Sequence, residues 1–321
     1  MARISQDHDP PILSKGPDSI RLAVRGAIRT VVWRSQGEIP GAGELTLAYS
    51  LDEGQTWQRG QNPATGDTSH NQSYPDIVVD NQGKTHLVWL DDREEQGNTQ
   101  GLRYAESRDY GATWLPEQTL DKTTCTCCWT RLTRLPDQAL AVLYRGSEPH
   151  DMKMMLNPGG QGQWTSARVV GQFDWYFSGC PHCGGGLLGT PSESGIPLLH
   201  SAVWTGKEGM SGLYYLRSSD RGHHWPHKIR LSDENSRNPD MAALNEKDLG
   251  IVFTGRLQDS QSLQFIRSED SGANWSVPVA IHRGNTRIDS SGILALNHYY
   301  SVFWTEKSAE GNLKLALRQI H

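Results

Sequence analysis

Ser107–Trp114 reads SRDYGATW, and the same pattern, Ser-x-Asp-x-Gly-x-x-Trp, returns at Ser50–Trp57 (SLDEGQTW), Ser218–Trp225 (SSDRGHHW) and Ser268–Trp275 (SEDSGANW). A decayed copy, NPGGQGQW, occupies Asn157–Trp164. The chemistry is that of a tight hairpin turn. Asp accepts backbone N–H groups, Gly takes a positive φ, and Trp pins the turn into the structure beneath it. Four copies at regular spacing mark a repeat rather than a coincidence.

Outward from these turns lies a second repeat, a short apolar strand carrying an aromatic residue. It reads VVWR at Val31–Arg34, LVWL at Leu87–Leu90, VLYR at Val142–Arg145, AVWT at Ala202–Thr205, IVFT at Ile251–Thr254 and VFWT at Val302–Thr305. The aromatic positions Trp33, Trp89, Tyr144, Trp204, Phe253 and Trp304 are 56, 55, 60, 49 and 51 residues apart. Short, apolar, β-branched runs of this kind read as buried strands. Six all-β units of this length predict an all-β fold, a six-bladed β-propeller of four-stranded antiparallel blades.

The Ser-x-Asp-x-Gly-x-x-Trp turns resemble the Asp-boxes, or BNR repeats, of the sialidase superfamily, and the resemblance covers nearly the whole chain. In that family the box joins the third and fourth strands of a blade, away from the active site. The resemblance therefore implies scaffold and stability rather than catalysis. An outer strand follows the box in several blades, as WLPEQTL does from Trp114, but the chain ends soon after Trp304. The N-terminal HDPPILSK has the missing pattern, so a strand near Pro11–Leu13 is expected to pair with Leu313–Arg318 and close the last blade, removing exposed edges. Residues 1–321 then form a single propeller domain.

Every cysteine falls in one of two segments that lead into an inner strand. DKTTCTCCWT, entering blade three, holds Cys125, Cys127 and Cys128; FSGCPHCGGG, entering blade four, holds Cys180, His182 and Cys183. Equivalent positions in adjacent blades are expected to bring the two segments together. Five cysteines is an odd count, so disulfides cannot use them all. Adjacent residues such as Cys127 and Cys128 also reach disulfide geometry poorly. Cys-x-Cys-Cys and Cys-x-x-Cys are chelating spacings, and converging thiolates select soft or borderline ions. The expectation is a metal site built from Cys125, Cys127, Cys128, Cys180 and Cys183 with His182, holding copper as Cu(I), with zinc the alternative metal. Structural disulfides and a reactive thiol are the competing readings. His150-Asp151-Met152-Lys153-Met154-Met155 reads either as soft-metal company for that site or as a strand with a buried methionine face.

The resemblance also implies what a sialidase would need: an arginine triad, a Tyr–Glu nucleophile pair and an Asp acid/base. Arg21 and Arg256 are candidates for the first group, and Tyr300 for the nucleophile. The blade-four loop departs from the pattern, with cysteines and glycines where a partner Glu would stand. Asp18, Asp76, Asp240 and Asp289 stand at inner-strand entries, either as turn-capping carboxylates or as an acidic rim. The favoured function is metal binding and copper handling, with a metal-delivery protein as partner. The alternative is an exo-glycosidase or glycan-binding propeller with structural disulfides.

A net charge of −5 leaves no basic stripe for nucleic acid, and no apolar run reaches the ~18 residues of a membrane span. The polar opening MARISQDHDPP lacks the apolar core of a signal peptide. The expected compartment is nonetheless an exported one, periplasmic or extracellular, with the leader absent from this sequence.

Overall fold

The computed structural model describes residues 4, 10–12, 20–37, 42–95, 99–160, 162–257, 260–284, 287–308 and 311–321. Blade one comprises β1 (Ile20–Arg25), β2 (Ile28–Gln36), β3 (Gly43–Ser50) and β4 (Gln58–Gly60). Blade two follows as β5 (Ser73–Val79), β6 (Thr85–Asp91), β7 (Thr99–Ser107) and β8 (Gln118–Cys125). Blade three is β9 (Arg131–Arg134), β10 (Leu140–Arg145), β11 (Met152–Asn157) and β12 (Arg168–Val170). Blade four is β13 (Gly185–Thr190), β14 (Leu198–Thr205), β15 (Gly212–Ser218) and β16 (His227–Ser232). Blade five is β17 (Arg237–Ala243), β18 (Leu249–Leu257), β19 (Ser260–Ser268) and β20 (Val279–Gly284), and the last blade is β21 (Arg287–Leu296), β22 (Tyr299–Lys307) and β23 (Leu313–Ile320).

Strands pair in chain order within each sheet, the meander that defines the six-bladed β-propeller class. The six aromatic positions of the strand repeat are all buried, each on the second strand of its blade. The chain divides into two compact units: Met1–Arg134 with Gln138–Ser147 and Met155–Ala167, and Leu135–Asp137 with Glu148–Met154 and Arg168–His321. In the first unit, Val32, Leu45 and Leu47 of blade one pack on Ile77, Leu87 and Trp89 of blade two. In the second, Leu213 and Tyr215 of blade four pack on Ile251 and Phe253 of blade five, and Val252 and Phe265 pack on Ile293 and Val302 of the last blade. This face-to-face burial of alternating strand residues supplies the hydrophobic stabilisation.

The Ser-x-Asp-x-Gly turns join the third and fourth strands of blades one, two, four and five, and all four have one hydrogen-bonding scheme. In the second, Ser107 Oγ donates to Asp109 Oδ1 (2.8 Å) and accepts from the Gly111 amide (2.7 Å), while Asp109 Oδ1 accepts from the Thr113 amide (2.8 Å). Glu53, Tyr110, Arg221 and Ser271, each followed by the turn glycine, all have positive φ. The conserved chemistry is that of a two-residue left-handed turn.

Two carboxylates of the Pro-Asp pattern join neighbouring inner strands. Asp76 on β5 accepts the Leu132 amide of β9 at 2.7 Å, and Asp240 on β17 accepts the Ile293 amide of β21 at 3.2 Å. Both therefore tie one blade's inner strand to the next rather than capping a turn; Asp18 and the Asp289 side chain lie outside the described residues.

The N-terminal segment corrects one expectation. Ile12 bridges Ser35, and the Gln36 amide donates to Pro11 O at 2.8 Å, so among the described residues Pro11 and Ile12 pair with β2 and not with β23. The reason is register: among the described residues β1 pairs with Ile28–Trp33, which leaves the end of β2 to Pro11 and Ile12. Leu13 lies outside the described residues, among which the last sheet has three strands.

A buried imidazole sets an acid limit on this scaffold. His200 bonds Tyr215 Oη at 2.7 Å and Thr190 Oγ1 at 2.9 Å, and burial pushes its pKa down to about 3 from 6.5. Unfolded chains take up a proton near pH 6.5 that the folded protein refuses, so stability rises with pH through this window. Acidification from pH 7 to 4 is expected to remove roughly 3 kcal/mol through this group, measured as the shift of the urea midpoint. His200→Gln should flatten that slope; an unchanged slope would exclude His200 as its source.

Candidate metal centre

The first cysteine segment is fixed at both ends by blade two and blade three. β8 runs to Cys125, which pairs with Thr99, and Thr124 Oγ1 donates to Gln100 O at 2.6 Å. On the other side Thr124 bridges Gly146, and the Ser147 amide donates to Thr123 O at 3.0 Å. After the loop, Thr130 Oγ1 donates to Tyr74 O at 2.8 Å. A turn at Thr126–Cys127 doubles the chain back between these anchors.

The result is a triangle of sulfurs. Sγ of Cys125 lies 3.2 Å from Cys128 and 3.5 Å from Cys127, and Cys127 lies 3.9 Å from Cys128. All three side chains are buried, and one ligand atom from each falls within the span of a single ion. A metal held by thiolate bonds of roughly 2.3 Å has sulfur–sulfur edges of about 3.8 Å, so the triangle fits one ion with small adjustments.

Hydrogen bonds from the Cys127 and then the Cys128 thiol hold Cys125 well below the ordinary thiol range, and the Arg145 guanidinium adds to the effect. Cys127 is pushed up chiefly by its hydrogen bond to Cys125, and Cys128 chiefly by burial. Arg145, buried at the end of β10, is the participant that residue-type searching misses. Its only sequence signal is an Arg at the close of the repeated strand VLYR.

The second segment lies in the other unit. Asp151 accepts the amides of Phe173 and Asp174, both at 2.8 Å, and of Trp175 at 3.2 Å, and His150 N donates to Trp175 O at 2.7 Å. Beyond this anchor Tyr176, Phe177 and Cys180 are exposed, as is His182, which has φ of 48°. Cys183 turns inward and is buried with Trp175 and Trp204, over which the Arg237 guanidinium stacks at 3.6 Å. None of the five cysteines is bridged to another in this structure.

The methionine segment is core. Met152, Met154 and Met155 are buried on β11, and Met154 Sδ sits so close to Gly222 that a Cβ there would meet it at 2.5 Å. The His150 ring packs against Trp175 and Phe177. Among the sialidase candidates, Tyr300 is buried on β22 with its hydroxyl donated to Asp248 at 2.8 Å, at the hairpin end of its blade. Arg21 is half-buried on β1 with Nε 3.6 Å from Asp76 Oδ1, and Arg256 is exposed on β18.

No protein-family model and no curated protein matches the chain. Its fold has solved counterparts. A protein of unknown function from Dyadobacter fermentans superposes with a TM-score of 0.64 at 9% identity, over 99% of both chains. The Hadza microbial sialidase Hz136 gives 0.59 at 14% identity, over 95% of this chain and 66% of that one. A Penicillium chrysogenum alpha-L-arabinanase complexed with arabinobiose gives 0.55 at 13% identity, over 97% and 96%. At such identities the likeness is one of fold, that of a β-propeller shared with these proteins.

Among the described residues, no helix is long and apolar enough to cross a membrane.

Proposed function

We propose that this chain is a metal-binding propeller that takes up Cu(I) through the thiolates of Cys125, Cys127 and Cys128. The observation that carries the reading is the triangle of three buried sulfurs 3.2, 3.5 and 3.9 Å apart. Soft thiolates favour Cu(I), which is satisfied by as few as two or three sulfurs. Three donors on one turn, all of them thiolates, therefore favour copper, with zinc the alternative metal. Cys180, His182 and Cys183 are proposed as further donors of the same soft character. In this reading the Ser-x-Asp-x-Gly turns are Asp-boxes serving stability, and the protein handles copper in an exported compartment, exchanging it with a delivery partner.

Titration of the reduced protein with Cu(I) against a chromogenic chelator tests the proposal. One ion per chain held against the competitor is expected from the trio, and more than one if the blade-four donors take part. Protein that leaves all the copper with the chelator overturns it. A glycosidase or glycan-binding role is the second reading, favoured by the sialidase and arabinanase among the fold counterparts. The burial of Tyr300 behind its bond to Asp248 counts against its sialidase form.

A further inference from the structure

We propose that Cys125 and Cys128 are a reversible dithiol–disulfide pair, so that the turn carrying the sulfur triangle is also an oxidisable site. The inference shares its sulfurs with the copper reading but holds for the metal-free protein. Three observations carry it. Cys125 and Cys128 are the closest of the three sulfur pairs, at 3.2 Å. They are separated by two residues, the loop size of Cys-x-x-Cys redox motifs. The remaining choices are poorer: Cys127 and Cys128 are chain neighbours, a pair that strains to bridge, and Cys125 lies farther from Cys127, at 3.5 Å.

The backbone on either side is tied down, by Thr124 and Gly146 before the turn and by Thr130 and Tyr74 after it. Closing a bond of about 2.05 Å therefore asks only for rotation of the two side chains and a small shift of the turn. Burial of all three cysteines restricts the oxidant to a small molecule, and hydroperoxide is the class that fits. The Cys125 sulfur attacks a peroxide oxygen, giving a sulfenic acid and releasing water. The Cys128 sulfur then displaces the hydroxyl from the Cys125 sulfur, releasing a second water and closing the disulfide. Two thiols thereby lose two electrons and two protons, and one hydrogen peroxide is reduced to two waters. A closed bridge withdraws two of the three sulfurs from any metal, so oxidation would release the ion and bound metal would protect the thiols.

The test uses reduced, metal-free, full-length protein and one equivalent of hydrogen peroxide. The thiol count is expected to fall by two from the starting five, and the tryptic peptide Thr123–Arg131 should become lighter by two hydrogens, a change reversed by dithiothreitol. Cys127→Ser should give the same mass change and Cys128→Ser should not. If Cys128→Ser fails to fold, the wild-type peptide mass and Cys127→Ser still decide. An unchanged thiol count, stable sulfinic acid on Cys125, a bridge involving Cys180 or Cys183, or loss of closure in Cys127→Ser would each overturn the pairing. The copper titration of reduced protein is read independently, so failure of one proposal is distinguishable from failure of the other.

Discussion

Cys125→Ser with Cys128→Ser is expected to abolish tight Cu(I) uptake, weakening binding by at least about a thousandfold, because a hydroxyl is a hard donor that does not replace a thiolate. The pair is chosen because each residue shares a sulfur contact with the other and with Cys127. Serine is close to cysteine in volume, so the loss should come without collapse of the turn, whose anchors are Thr124, Thr130 and Ser147. Competition titration measures the affinity, and circular dichroism confirms that the β signal is kept. Cys180→Ser with Cys183→Ser is the companion variant. If it alone removes uptake while the Cys125→Ser, Cys128→Ser variant retains it, the copper site has been assigned to the wrong loop.

Gly272→Ala is expected to be the most damaging single methyl added to the turns. A Cβ at Gly272 would stand 1.9 Å from Tyr215 Oη and 2.2 Å from its Cζ, and the residue has a φ of +80°. Tyr215 is buried and bonded to His200, so it cannot swing aside without breaking that pair. Left-handed backbone costs an alanine about 1–2 kcal/mol, and overpacking adds roughly 1–3 kcal/mol. The sum, about 2–5 kcal/mol, is a large part of the 5–15 kcal/mol that folded domains typically have. Gly195→Ala separates the two effects, because Gly195 has a φ of +75° and no atom within 4 Å of its added Cβ. Urea midpoints for both variants measure the difference. Equal losses would mean that Tyr215 yields and that the contact is soft.

Both predictions rest on features that differ in how far the chain announces them. The blade count follows from local chemistry. Trp33, Trp89, Tyr144, Trp204, Phe253 and Trp304 recur because each blade needs one bulky residue on its second strand. Asp52, Asp109, Asp220 and Asp270 recur because each turn needs an acceptor for its own amides. Such contacts lie within a few residues of one another, so a linear pattern records them. The placement of both cysteine segments between an outer strand and the next inner strand was legible for the same reason.

Contacts between distant segments leave no such record. Nothing in MKMM distinguishes a metal-facing methionine from Met154 packed against Gly222, since either role needs only a soft apolar side chain. Tyr300 has the residue type of a nucleophile, and only its burial and its bond to Asp248 show a packing role. Pro11 and Ile12 have strand pattern, but the partner depended on register, and the end of β2 provided it. Arg145 acts on Cys125 through its charge, and the neighbouring Gly146 pairs with Thr124 across the blades. By itself, then, the sequence determined the repeat, its turns and the loops that hold the thiols, all products of short-range backbone chemistry. Tertiary structure alone decided which carboxylates join neighbouring strands and which aromatic hydroxyl is buried, because those depend on register and packing between segments about 50 residues apart.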